Sequence, residues 1–194
     1  MPPIPPAQWT EAQRREAQPI IDGPRGALIA PFIPLLRSPE LMGHVQRLGE
    51  YLRYRNALGL RLSELAILIA AGHWSQPVEW AIHVPIALAQ GIAQATIDAI
   101  AQGQAPPGLD EDQQAVHDFA TELLRTQAVA DATYARALAQ FGEPGIIDLI
   151  GSLGYYSLLA MVMNVARTPA PPGSAPPLPP LSPLPPQAAT HPRR

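Results

Sequence analysis

The chain has 194 residues, 47% of them hydrophobic, enough for one domain with a sizeable core. Only 15% are charged, against a usual ~25%, and the formal net charge is −3; this argues against a basic nucleic-acid binder. No cysteine is present, which excludes disulfides, zinc–thiolate sites, iron–sulfur clusters and thiol chemistry.

The 25 prolines are unevenly spread, and they mark three regions. Residues 1–8 form a Pro-rich extension, 9–167 a helical domain and 168–194 a Pro-rich tail. In 9–167 every periodic segment is helical. Thr10 is placed to cap a short helix through Ala17. Pro24, Pro31, Pro34 and Pro39 then forbid a long helix. Ser38 followed by Pro39 predicts an N-cap and a helix to about Leu58, with Gly59 as its stop. Residues 62–72 are apolar on nearly every side and predict a buried helix. Pro77 opens the next helix, closing at Gly91 and kinked at Pro85. A short helix follows over 94–102. Asp110 caps one to about Gln127, Asp131 caps one to Phe141, and Pro144 opens the last, to about Arg167. The fold class is all-α, a compact helical bundle ending in an extended, polyproline-II-like tail that is either a ligand for an SH3-like partner or passive.

No basic segment followed by an apolar one marks the N-terminus as a signal peptide. The longest apolar run, 149–163, falls short of the ~20 residues of a membrane span. The expectation is a cytoplasmic protein without membrane partners. The last helix is apolar on more than one face; it is either the core helix or a contact with another subunit.

Two signals point to chemistry. Glu64 is an acid on the buried 62–72 helix, with Ile67, Leu68 and Ala71 on its face. Burial disfavours its charge, so it either titrates at a raised pKa or is satisfied by an ion pair with Arg61 or Arg55. Glu79 and His83 stand four apart on the following helix, where their side chains meet. A carboxylate on one ring nitrogen fixes the tautomer and leaves the other free to move a proton; the alternative is an ordinary helix-surface pair. Glu64, Glu79 and His83 are therefore the candidate catalytic residues. Arg61, His73 and Gln76 are candidates to bind substrate, with Trp80 and Phe32 as apolar walls. The spacing lacks the two-histidine zinc signature, and no Gly-rich phosphate loop is visible, so neither metal nor cofactor is expected. His44 and His117 read as solvated, and Tyr155 and Tyr156 as packed with their hydroxyls at an edge.

The segments RLSELAILIAA from Arg61, EWAIH from Glu79 to His83 and ALAQGI from Ala87 together resemble the carboxymuconolactone decarboxylase family, which includes the alkylhydroperoxidase D-like proteins. PRGALIAPFIPLLRSPEL and GEYLR look like the leading segment of its cysteine-free members, and the resemblance spans roughly 9–167. It implies a helical fold whose central helix pair builds the site near a subunit interface, and homo-oligomers: dimers, trimers or hexamers. Redox-active members carry a glutamate, a Cys-x-x-Cys pair and a histidine. Glu64 and His83 match the outer positions here, while Gln76 and Glu79 stand where the cysteines would be. That departure removes thiol peroxidase chemistry and leaves a form similar to the decarboxylase-like branch. The function so implied is a cofactor-independent lyase acting on a small activated carbonyl, lactone or carboxylic acid through Glu/His proton transfer. Isomerase, dehydratase or cyclase chemistry at the same residues, or a non-catalytic helical binding protein, are the alternatives.

Overall fold

The structure, a computed structural model, describes residues 1–172 and Leu178. Among the described residues there are eight α-helices and no strand: α1 (Glu11–Asp22), α2 (Phe32–Leu35), α3 (Pro39–Tyr54), α4 (Gly59–His73), α5 (Pro77–Ala89), α6 (Gln94–Ala101), α7 (Glu111–Thr126) and α8 (Asp131–Ala166). The all-helical class read from the sequence is the class observed.

Local chemistry sets most boundaries. Thr10 and Asp110 each form a capping box, with Gln13 and Gln113 returning a bond to the cap backbone. α1 runs five residues past the expected end, with Pro19 inside it. Ser38 holds the N-cap position of α3, but its side chain makes no capping bond. α3 stops at Tyr54, short of Leu58. Asn56 then organises the turn: its Oδ1 accepts from the Leu58 and Gly59 amides at 2.8 and 3.1 Å, and its Nδ2 donates to Ser63 Oγ at 2.8 Å. Gly59 is thus the first residue of α4, at φ +76°, and not the stop of α3. A second positive φ, at Gly142, breaks α8 between the two segments that the sequence predicts as separate helices.

α4 lies at the centre and packs against α5, α7 and α8. Residues 65–71 of α4 are all buried. Burying a leucine such as Leu65 or Leu68 contributes about 1.5–3 kcal/mol each, so this helix is held by packing on all sides. The second half of α8 lies against it, with Leu149, Leu153, Leu159 and Met163 buried. α8 is long and apolar enough to cross a bilayer by length and composition, yet 56% of its most apolar window is buried within the domain. The reading of this helix as a core helix holds for its inner side, while Ile147 and Val165 on its outer side are 66% and 73% exposed.

The N-terminal residues pack on the domain: Arg37 donates to Pro2 O at 2.6 Å, and Trp9 Nε1 to Ile4 O at 2.8 Å. Leu178 is buried in the main core. The rest of the tail beyond Pro172, and with it the expectation of a polyproline-II conformation, lies outside the described residues.

Candidate active site

α4 and α5 are joined by a short turn, so an acid on one comes beside the basic residue on the other. Glu64 comes from α4, and Glu79 and His83 from α5, one turn apart. His83 Nδ1 lies 2.7 Å from Glu64 Oε2, and its Nε2 lies 3.3 Å from Glu79 Oε2. The three side chains are 3% exposed or less. The expectation of one free ring nitrogen is therefore corrected: a carboxylate stands at each. It is also Glu64 with His83, and neither Arg61 nor Arg55, that forms the buried ion pair.

Ionised carboxylates only accept, so this arrangement is satisfied by an imidazolium donating from both nitrogens. Burial opposes the charge on His83, but the hydrogen bonds to Glu64 and Glu79 outweigh it and lift its pKa to about 9. Two carboxylates and one imidazolium leave one net negative charge. Arg25 and Arg53, from the loop after α1 and from α3, stand beside the cluster and offset it.

These groups face a cavity of about 20 Å³, bounded also by Phe32, Tyr155 and Tyr156. That volume admits one water-sized group. Tyr156 stacks edge-on against His83, with centroids 5.2 Å apart, and edge-on against Tyr155 at 5.1 Å. Burial, reinforced by the Glu79 charge, pushes the Tyr155 hydroxyl up to about 12 and Tyr156 well above its ordinary value. Both remain phenols at neutral pH and serve as donors, not bases. Three buried polar atoms of this cluster have no partner among the described residues: Glu64 Oε1, Glu79 Oε1 and Arg25 Nη1. Buried polar atoms are normally paired, so these two acceptors and one donor are unused hydrogen-bonding capacity within the cluster.

No family model matches the chain, and no curated protein matches it.

Of the five residues expected to bind substrate, only Phe32 lines this cavity, its ring 5.0 Å below the Arg25 guanidinium carbon. Arg61 turns the other way and clamps the start of α7, at 2.7 Å from Asp110 and 2.6 Å from Asp112. Gln76 is a structural cap: it accepts from the Val78 amide and donates to Asn164 Oδ1, each at 2.7 Å, tying α5 to α8. Trp80 is buried but does not line this cavity; its ring lies beside Gly72 of α4. His73 opens on a separate cavity of about 530 Å³ between α4, α6 and α7, and half-buried His117 lines the same cavity instead of standing in solvent. Arg25 and Arg53 carry no periodic signal that would mark them; Arg25 sits in a loop. Tyr155 and Tyr156 are adjacent hydroxyl-bearing aromatics in an apolar run, which was the one usable sign.

Among the described residues no group of three or more His, Asp or Glu side chains is arranged to hold a metal.

Proposed function

We propose that the chain is a cofactor-independent lyase of the carboxymuconolactone decarboxylase type, acting on a small activated carbonyl or lactone acid. The observation that supports this reading is the buried Glu64–His83–Glu79 cluster with an unpaired arginine nitrogen beside it. In the reaction the bond from the substrate carboxylate carbon to its neighbour breaks and CO2 leaves. The electron pair enters the adjacent carbonyl as an enolate. Arg25 stabilises the developing oxyanion from a site shielded from water. The His83 imidazolium passes its Nε2 proton to Glu79, whose carboxyl delivers it to the carbanionic carbon; the imidazole regains a proton from water, while Glu64 holds the ring from Nδ1. The carbonyl itself serves as electron sink, so the step needs no further group. The hollow is only about 20 Å³, so admission of a lactone-sized molecule requires its walls to part. The same side chains suit isomerisation or dehydration of an activated carbonyl.

That small volume favours a second reading, in which the cluster is a structural ion triad of a non-catalytic helical binding protein. CO2 release from a panel of β-keto acids and unsaturated lactone acids separates the two. Under the lyase reading His83→Gln lowers the rate by about 10²–10⁴-fold, and deuterium from D2O enters the product at one carbon. A folded His83→Gln protein with undiminished turnover, or a wild-type protein inert on the whole panel, excludes it.

The lyase reading includes a homo-oligomer formed through the outer side of α8, where Ile147, Ile150, Met161 and Val165 are exposed at helical spacing. Light scattering after size exclusion tests it, and a monodisperse monomer rejects it.

A further inference from the structure

The larger cavity has a chemistry of its own. α7 places His117, Thr121 and Arg125 four residues apart on one face, and α4 places Ile69 and His73 opposite them. The floor is apolar: Ile69 and Ile100 are buried and Leu124 is partly buried. His73 and Arg125 are exposed and form the rim, with half-buried His117 between floor and rim. The lining contains two imidazoles and a guanidinium but no carboxylate.

The nearby acids are engaged elsewhere. Asp118, 3.4 Å from His117 Nδ1, is bound by Arg136 at 2.9 Å, and Glu122 accepts from the Ala130 amide at 2.7 Å. The Arg125 guanidinium has no partner among the described residues. A volume of about 530 Å³ falls in the usual range for small-ligand pockets. It far exceeds the hollow at His83.

We propose that the cavity between α4, α6 and α7 is a binding site for an amphipathic organic anion, a monocarboxylate with an apolar body. The body lies on Ile69, Ile100 and Leu124, and the carboxylate meets Arg125, with His73 and His117 as further donors. The site is separate from the His83 cluster, so it stands or falls independently of the reaction proposed there.

The test uses the full chain and octanoate as probe, with octanol as the uncharged control, followed by calorimetry. Saturable one-to-one octanoate binding is expected, with octanol weaker by roughly tenfold for want of the charge-assisted bonds. Arg125→Gln, an exposed substitution, weakens octanoate by about fivefold, the scale of one exposed ion pair, and leaves octanol unchanged. In proton NMR the ring resonances of His73 and His117 move with octanoate, and that of His83 does not. Equal affinity for octanol, an unchanged Arg125→Gln protein, shifts at His83 alone, or no saturation below the octanoate micelle threshold would each overturn the proposal.

Discussion

Glu64 and His83 are 19 positions apart in the chain, yet Oε2 of one lies 2.7 Å from Nδ1 of the other. The contact exists because α4 and α5 pack side by side and both side chains are buried between them. Glu79 reaches the other ring nitrogen from within α5, at the longer distance of 3.3 Å. The shorter bond is the stronger hold on the imidazolium. Glu64→Gln is therefore expected to lower the His83 pKa further than Glu79→Gln does, both starting from about 9. Proton NMR titration of the His83 ring measures each value. A larger drop in Glu79→Gln would reverse the ranking.

The same raised pKa makes stability depend on pH. His83 rises from 6.5 to about 9 on folding, so the folded state holds a proton that the unfolded chain releases. The resulting stabilisation is complete below pH 6.5 and is lost as pH climbs through about 9. Thermal melting followed from pH 6 to pH 10 should show Tm falling across that window, with the fall much reduced in His83→Gln. A wild-type Tm that stays flat or rises there contradicts the assigned imidazolium.

Two helical glycines give opposite expectations for the same substitution. A Cβ on Gly49 would overlap the ring and hydroxyl of Tyr155, which walls the His83 cavity. Gly49→Ala should cost about 1–3 kcal/mol through overpacking and disturb the site as well. Nothing approaches a Cβ built on Gly154, and its backbone is helical. Gly154→Ala should stabilise by about 0.4–1 kcal/mol, by restricting the unfolded chain. Urea unfolding of the two variants decides the matter by the sign of the change in midpoint.

Asp148 is the buried link between α8 and the turn before α4. It accepts from the Ala57 amide at 2.7 Å and from the Tyr51 hydroxyl at 3.0 and 3.2 Å. Asp148→Ala strands the Ala57 amide and should cost about 1–3 kcal/mol. Asp148→Asn, which keeps an acceptor, should cost less. Denaturant midpoints at constant slope give the comparison, and equal losses in the two variants would show that the acceptor is not what matters.

Apolar periodicity, proline spacing and the caps at Thr10 and Asp110 by themselves determined that this chain is all-helical, with a buried central helix carrying an acid. Those signals are local: each depends on residues within one or two turns, and helix formation obeys the same range. The pairing of Glu79 with His83 was legible for the same reason, being an i,i+4 contact. Which direction a side chain takes off a helix buried on every side was not legible, because such a helix has no polar stripe to orient it. Arg61 and Glu64 lie three residues apart, yet one reaches Asp110 at the cap of α7 and the other His83 on α5. Only the packing of α4 between those neighbours separates them. It was likewise tertiary packing that brought Arg25 from a loop and Tyr155 and Tyr156 from α8 to the imidazole, and sent His73 to a different cavity. Contacts of that range follow from how helices are stacked, a property of the whole core and not of any segment within it.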